Sequence, residues 1–189
     1  MRFKLLLGSA ILLLFSACAN KIINSQIIYG DRSTLSFSGK GAAAGMMMDA
    51  YMGGAGVAIG IAIDEGIAKD ISANLSSRSD GFNMLALMYE ELNSNVKNAG
   101  NKRKQILATK ITVETYGFRS ARGEGDKVSA WLKVRFSNHD TNVLLTYPDD
   151  FALPAVIEFI DAKKNPELAF STLKAATDLV LAKWISTLE

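Results

Sequence analysis

The residues able to do chemistry in this chain are few and far apart. A single histidine, His139, stands beside Asp140 in a turn-rich stretch, and a single cysteine, Cys18, lies near the start. Acid–base or nucleophilic catalysis needs a base within hydrogen-bond reach of the group it deprotonates. The carboxylate pairs Asp64/Glu65, Glu90/Glu91 and Asp149/Asp150 are adjacent in sequence, so on a regular element their side chains diverge. Glu90 and Glu91 fall on the polar side of a predicted helix, where solvation is expected. One histidine and one cysteine make a poor zinc set, and no Gly-x-Ser-x-Gly elbow presents a serine. Gly39-x-Gly41-x-x-x-Gly45 follows a predicted strand as a phosphate loop would. It has neither the Gly-x-Gly-x-x-Gly spacing nor a following Lys-Ser/Thr. The sequence therefore predicts no catalytic residue, no metal, no cofactor and no nucleotide, and the protein is not expected to be an enzyme.

Cys18 offers a different chemistry. Arg2 and Lys4 form a basic head, Leu5 to Phe15 an apolar run, and Ser16-Ala17 lead into the cysteine. That order is a secretory signal, too short to stay as a membrane-spanning helix. Phe15-Ser16-Ala17-Cys18 resembles the lipobox of bacterial lipoproteins, with Phe where Leu is commonest. The resemblance implies cleavage before Cys18, acyl chains on Cys18 and an acylated amino end. Each buried methylene contributes about 0.8 kcal/mol, so several chains anchor without a spanning helix. Ala19, where an Asp would mark inner-membrane retention, implies the outer membrane, with the protein facing the periplasm. The alternative, a free thiol on an ordinary secreted protein, is a liability in an oxidising compartment. The chain then divides into a signal peptide (1–17), a lipidated N-terminus and tether (18–32) and one domain (33–189).

Charge narrows the partners. The chain carries 21 basic and 19 acidic residues; without Arg2 and Lys4 the balance is even. Nucleic-acid binding needs a concentrated positive field, and the densest cluster, Lys97 with Lys102, Arg103 and Lys104, sits at a helix end where solvation is expected. The expected partners are the membrane, through the N-terminal lipid, and an envelope protein or further copies of the chain.

The segment 39–71 has an unusual composition. Small residues recur four apart, as in Gly41 and Gly45, Ala50 and Gly54, Gly56 and Gly60. On helices such spacing lines a face that lets another backbone approach closely, so Gly41, Gly45, Gly54, Gly56 and Gly60 are the candidate close-packing residues. Met46, Met47, Met48, Met52, Val57, Ile59, Ile61 and Ile63 clothe the other faces. The charge-free run from Ala50 to Ile63 is about 21 Å long as a helix, against roughly 30 Å of hydrocarbon. A lone span is therefore not expected. A hairpin bent at Gly53-Gly54, or an oligomer of such segments, can still enter a bilayer, and a buried helix pair within the domain is the alternative. With Leu181-Ala182-Lys183-Trp184-Ile185 near the end, the segment resembles the glycine-rich hairpins of some outer-membrane lipoproteins, including the surface-exclusion proteins of conjugative plasmids.

The remaining elements must carry this segment. Leu35 to Ser38 alternates as a strand, and Phe82, Leu85, Met88, Tyr89, Leu92 and Val96 form a helical stripe, with Asp80 placed to cap it and Gly100 to end it. Three strands follow, over Lys110 to Phe118, Val128 to Phe136 and Val143 to Tyr147, joined by turn-rich links that favour an antiparallel meander. A helix broken near Asn165-Pro166 closes the chain. The predicted fold is α+β, roughly β-α-β-β-β-α, with a three- to four-stranded antiparallel sheet packed by helices. That order is similar to small α+β domains of several outer-membrane assembly lipoproteins, in topology alone. Strict alternation puts Glu114, Tyr116 and Phe118 on the face that carries Trp131, Lys133 and Arg135. Tyr116, Trp131 and Arg135 are thus a candidate partner-contact patch, unless a helix covers that face and makes Trp131 core.

Overall fold

The computed structural model describes residues 26–31, 33–97, 106, 109–121, 123, 125–152 and 154–188. The signal 1–17, Cys18, most of the tether, Gly100 and the basic residues Lys102, Arg103 and Lys104 lie outside the described residues.

The architecture is α+β. Its centre is a long antiparallel pair, β3 (Lys110–Ser120) and β4 (Lys127–Ser137). Along the outer edge of β3 lie β1 (Ile27–Tyr29) and then β2 (Leu35–Ser38), end to end and both parallel to it. Along the outer edge of β4 lie β5 (Asn142–Tyr147) and β6 (Val156–Glu158), both antiparallel to it. The sheet has six strands rather than three or four, because short segments share each outer edge. The two parallel pairings need the long crossover that helices α1 to α3 supply between β2 and β3.

Those helices are α1 (Lys40–Met52), α2 (Ala55–Ser76) and α3 (Met84–Lys97), and the chain ends in α4 (Phe159–Lys164) and α5 (Pro166–Ser186). The α4/α5 break falls at Asn165, whose side chain caps α5 by accepting from the Leu168 amide at 3.1 Å, with Pro166 in the first turn. α3 is capped not by Asp80 but by Asn83, whose Oδ1 accepts from the amides of Leu85 (2.9 Å) and Ala86 (3.1 Å). Asp80 turns instead to Ser79 and Arg78, which hold its carboxyl below the usual range.

The helices pack on one face of the sheet. Val128, Ala130, Leu132, Val134 and Phe136 of β4 are all buried there, and Phe136 stacks on Trp184 of α5 at 4.4 Å between ring centres. α2 contributes Ala68, Ile71 and Leu75, and α3 contributes Met84, Leu87, Met88, Leu92 and Val96. Glu91, expected on a solvated face, is buried and faces Lys174 of α5 at 3.4 Å. Thr109, Ser129, Thr172 and Thr177 are buried as well; the rest of the core is apolar, and its burial is the main term opposing the entropy of ordering the chain.

Candidate functional site

α1 and α2 form an antiparallel hairpin, with its turn at Gly53-Gly54, one of the alternatives the sequence leaves open. Only the second half of α2 enters the core; α1 packs chiefly on α2. The first half of α2 and all of α1 therefore stand out from the domain. The seam between them is glycine on glycine. A Cβ on Gly41 would fall 1.8 Å from the Gly60 carbonyl oxygen, and one on Gly60 would fall 2.5 Å from that of Gly41. A Cβ on Gly56 would meet the Asp49 amide nitrogen at 2.4 Å, and one on Gly45 the Gly56 oxygen at 3.0 Å. Four of the five predicted residues thus form one close contact. Gly54 does not: it lies exposed in the turn, where an added Cβ meets nothing within 4 Å. Its spacing from Ala50 fits a continuous helix, and the turn breaks that register.

The hairpin is fastened at its base by charge. Gly39, at a φ of 123°, precedes α1 and has no side chain to cap it. Asp64 of α2 takes that role, accepting from the amides of Gly39 (3.1 Å) and Gly41 (2.6 Å). Free amides at a helix start favour a carboxylate by hydrogen bonding and dipole together. Lys40 pairs with Asp126 in the β3–β4 turn and lies 5.2 Å from the Phe159 ring centre. Lys163 pairs with Asp70 at 2.7 Å. The Asp64 cap is invisible to local sequence reading because its partners are more than twenty residues away.

Above this collar the outer surface is apolar. Tyr51 is 92 % exposed, Met47 75 % and Met46 72 %; Met48, Met52, Val57, Ile61 and Ile63 are exposed as well. Asp49 is the one charged residue between Gly41 and Ile63. A shallow groove of about 260 Å³ runs along one flank between Ala42, Met46, Val57 and Ile61, floored by the seam glycines and closed by Asp64.

The predicted contact patch is divided between two faces. A β-bulge between Val113 and Thr115 adds one residue to β3 and inverts the alternation beyond it. Gly30 donates to the Val113 carbonyl at 2.9 Å and the Ser33 hydroxyl to that of Glu114 at 3.1 Å, fixing the bulge. Tyr116 and Phe118 consequently face the helices, opposite Leu132 and Ala130. Tyr116 packs on Tyr29 (6.0 Å) and Phe82 (6.2 Å), and burial pushes its hydroxyl up to about 12. Trp131 and Arg135 keep the other face. Trp131 is half-buried opposite Gly117, and Glu114 holds both Arg135 (2.5 Å) and Lys133 (3.6 Å). The described helices leave this face open, so Trp131 is not core. At its end a cavity of about 200 Å³ lies among Arg119, Ser120, Ser129, Pro148 and Val156. It is bordered by Ser120, whose buried hydroxyl oxygen has no protein partner, while Arg119 is held by Asp149.

His139 is exposed in its turn, and among the described residues no three His, Cys, Asp or Glu side chains stand close enough to share a metal ion. Comparison with protein-family models, with curated proteins and with solved structures gave no match to this chain.

Proposed function

We propose that the protein is a non-enzymatic lipoprotein of the bacterial outer membrane. It is anchored through Cys18, faces the periplasm, and acts through protein contacts or self-association in envelope assembly or maintenance. The observation that supports this reading is the α1–α2 hairpin. A domain with a complete core of its own still projects two helices whose outer surface is apolar. Contiguous exposed apolar surface of that kind marks an interaction site. The open sheet face, with Trp131 and Arg135 on either side of Lys133, is a second contact site; aromatic and arginine side chains dominate binding energy where they are desolvated.

A second reading has one observation in its favour. Apolar side chains surround the hairpin instead of forming one stripe, as they do on elements immersed in lipid. Among the described residues no helix is long and apolar enough to cross a membrane, so insertion would be that of the hairpin, in an oligomer. Fractionation and size analysis of Cys18→Ser beside the wild type separates the two. Release of a membrane-free monomer at low concentration, associating as concentration rises, fits the first reading. Retention in the membrane without the lipid fits the second and refutes the first.

A further inference from the structure

We infer that the hairpin leaves the domain from the end of the sheet opposite the lipid anchor, and that the hairpin of a second copy covers it, packed parallel with tip beside tip. The inference rests on the reading of Cys18 as the lipidated residue. β1 and β2 both run parallel to β3; Ile27 pairs with Ile111 and Ser38 with Arg119. The tether therefore joins the sheet where β3 begins, and α1 starts where β3 ends. Strand rise separates these points by about 26 Å, and α1 adds about 20 Å beyond.

The eight residues 18–25 reach at most about 27 Å when fully extended. For the tip to enter the bilayer that holds Cys18, with the hairpin base at its surface, they would have to span the whole sheet without slack. Insertion would also carry Asp49, exposed and one turn below Gly53, into hydrocarbon, where a carboxylate is expensive. Neither cost arises when the hairpin points away from its membrane, yet Met46, Met47 and Tyr51 still need cover. A second copy anchored in the same leaflet offers the same surface at the same height. Antiparallel packing would send the two anchors to opposite ends, so two anchors in one leaflet require parallel packing. The groove between Met46, Val57 and Ile61 then receives an apolar side chain of the neighbouring hairpin.

The test is Tyr51→Cys in the full-length protein in its native membrane, with Met47→Cys one turn below. Acylated Cys18 has no thiol, so the introduced cysteine is the only one. Mild oxidation is expected to give a disulfide-linked dimer at least tenfold above Ser171→Cys, a control on the exposed side of α5. Two results overturn the inference. One is no dimer, with both cysteines closed to a water-soluble maleimide and an attached fluorophore quenched by spin-labelled acyl chains, which places the tip in lipid. The other is no dimer with free maleimide labelling, which leaves the hairpin unpaired with its copy. Mass analysis of the N-terminal peptide separates the premises: an unacylated Cys18 overturns the anchor itself, whereas an acylated Cys18 without the dimer overturns only the pairing.

Discussion

Replacing Gly41 by Ala tests whether the hairpin is held by its glycine seam. In an open helix this change gains about 0.5–1 kcal/mol, because Ala loses less backbone entropy on folding than Gly. Here the new Cβ would lie 1.8 Å from the Gly60 carbonyl oxygen and 2.9 Å from the Asp64 carboxyl carbon. The first obstacle is backbone and cannot rotate aside. Restoring van der Waals contact at about 3.5 Å moves the helices apart by more than 1.5 Å or so. Overpacking of this kind costs about 1–3 kcal/mol, and losing the Asp64 cap adds about 1 kcal/mol. Gly66, exposed near the middle of the same α2, meets nothing within 4 Å, so Gly66→Ala keeps the helical gain with no clash. The same chemical change at the two positions should differ by roughly 2–4 kcal/mol with opposite signs. Hydrogen–deuterium exchange of peptides spanning 41–63 reads this as about 30- to 1,000-fold faster opening in Gly41→Ala than in Gly66→Ala. Equal protection in the two variants would refute the seam as the element that holds the helices together.

Three further outcomes follow from the same geometry. Asp64→Ala removes the carboxylate that accepts from Gly39 and Gly41. It should loosen the hairpin by about 1–2 kcal/mol while exchange in the β3–β4 pair stays unchanged. Trp184→Ala deletes a buried ring stacked on Phe136 and should lower global stability by about 3–5 kcal/mol in denaturant titration. Tyr116 has its hydroxyl pushed from 10.0 up to about 12 in the folded state, chiefly by burial and then by Tyr29. Its contribution is full below pH 10 and is lost as pH rises towards 12, by about 1–2 kcal/mol after allowance for partial exposure. Tyr116→Phe should flatten only part of the alkaline decline, because burial raises Tyr147 as well; an unchanged decline would refute the assignment.

The parts of this fold that were legible in the sequence are those governed by local rules. Alternation along β4 holds from Ala130 to Phe136, with Ser129 the one out-of-step buried residue before it, and Asn165-Pro166 marks the helix break because its cap chemistry lies within four residues. The turn at Gly53-Gly54 could be read for the same reason. The failures share a cause as well. A bulge adds one residue and reverses every later side chain; Glu114 gives no local sign of it, since Gly30 and Ser33, more than eighty residues upstream, stabilise it. One inserted residue moved Tyr116 from the open face to the helix face and split the expected patch. Glu91 was misplaced because its partner, Lys174, comes from another helix.

The hairpin is where local preference and structure disagree most, and the disagreement has a direction. Glycine weakens isolated helices, so α1 has little reason to form without α2. Its start carries no cap of its own, and the missing acceptor comes from Asp64 of α2. α1 therefore depends on α2 through both the seam and the cap, whereas the second half of α2 is held by the core. A sequence that only needed to fill its core would gain nothing from this arrangement, because the half of the hairpin above Asp64 buries glycine and exposes methionine, isoleucine and tyrosine. Glycine inside lets two thin helices stand as one rigid rod, and large flexible side chains outside give that rod an adaptable apolar coat. A cover over the coat would offset the local cost, which is why the proposed function rests on the hairpin and not on the ordered polar turns around His139.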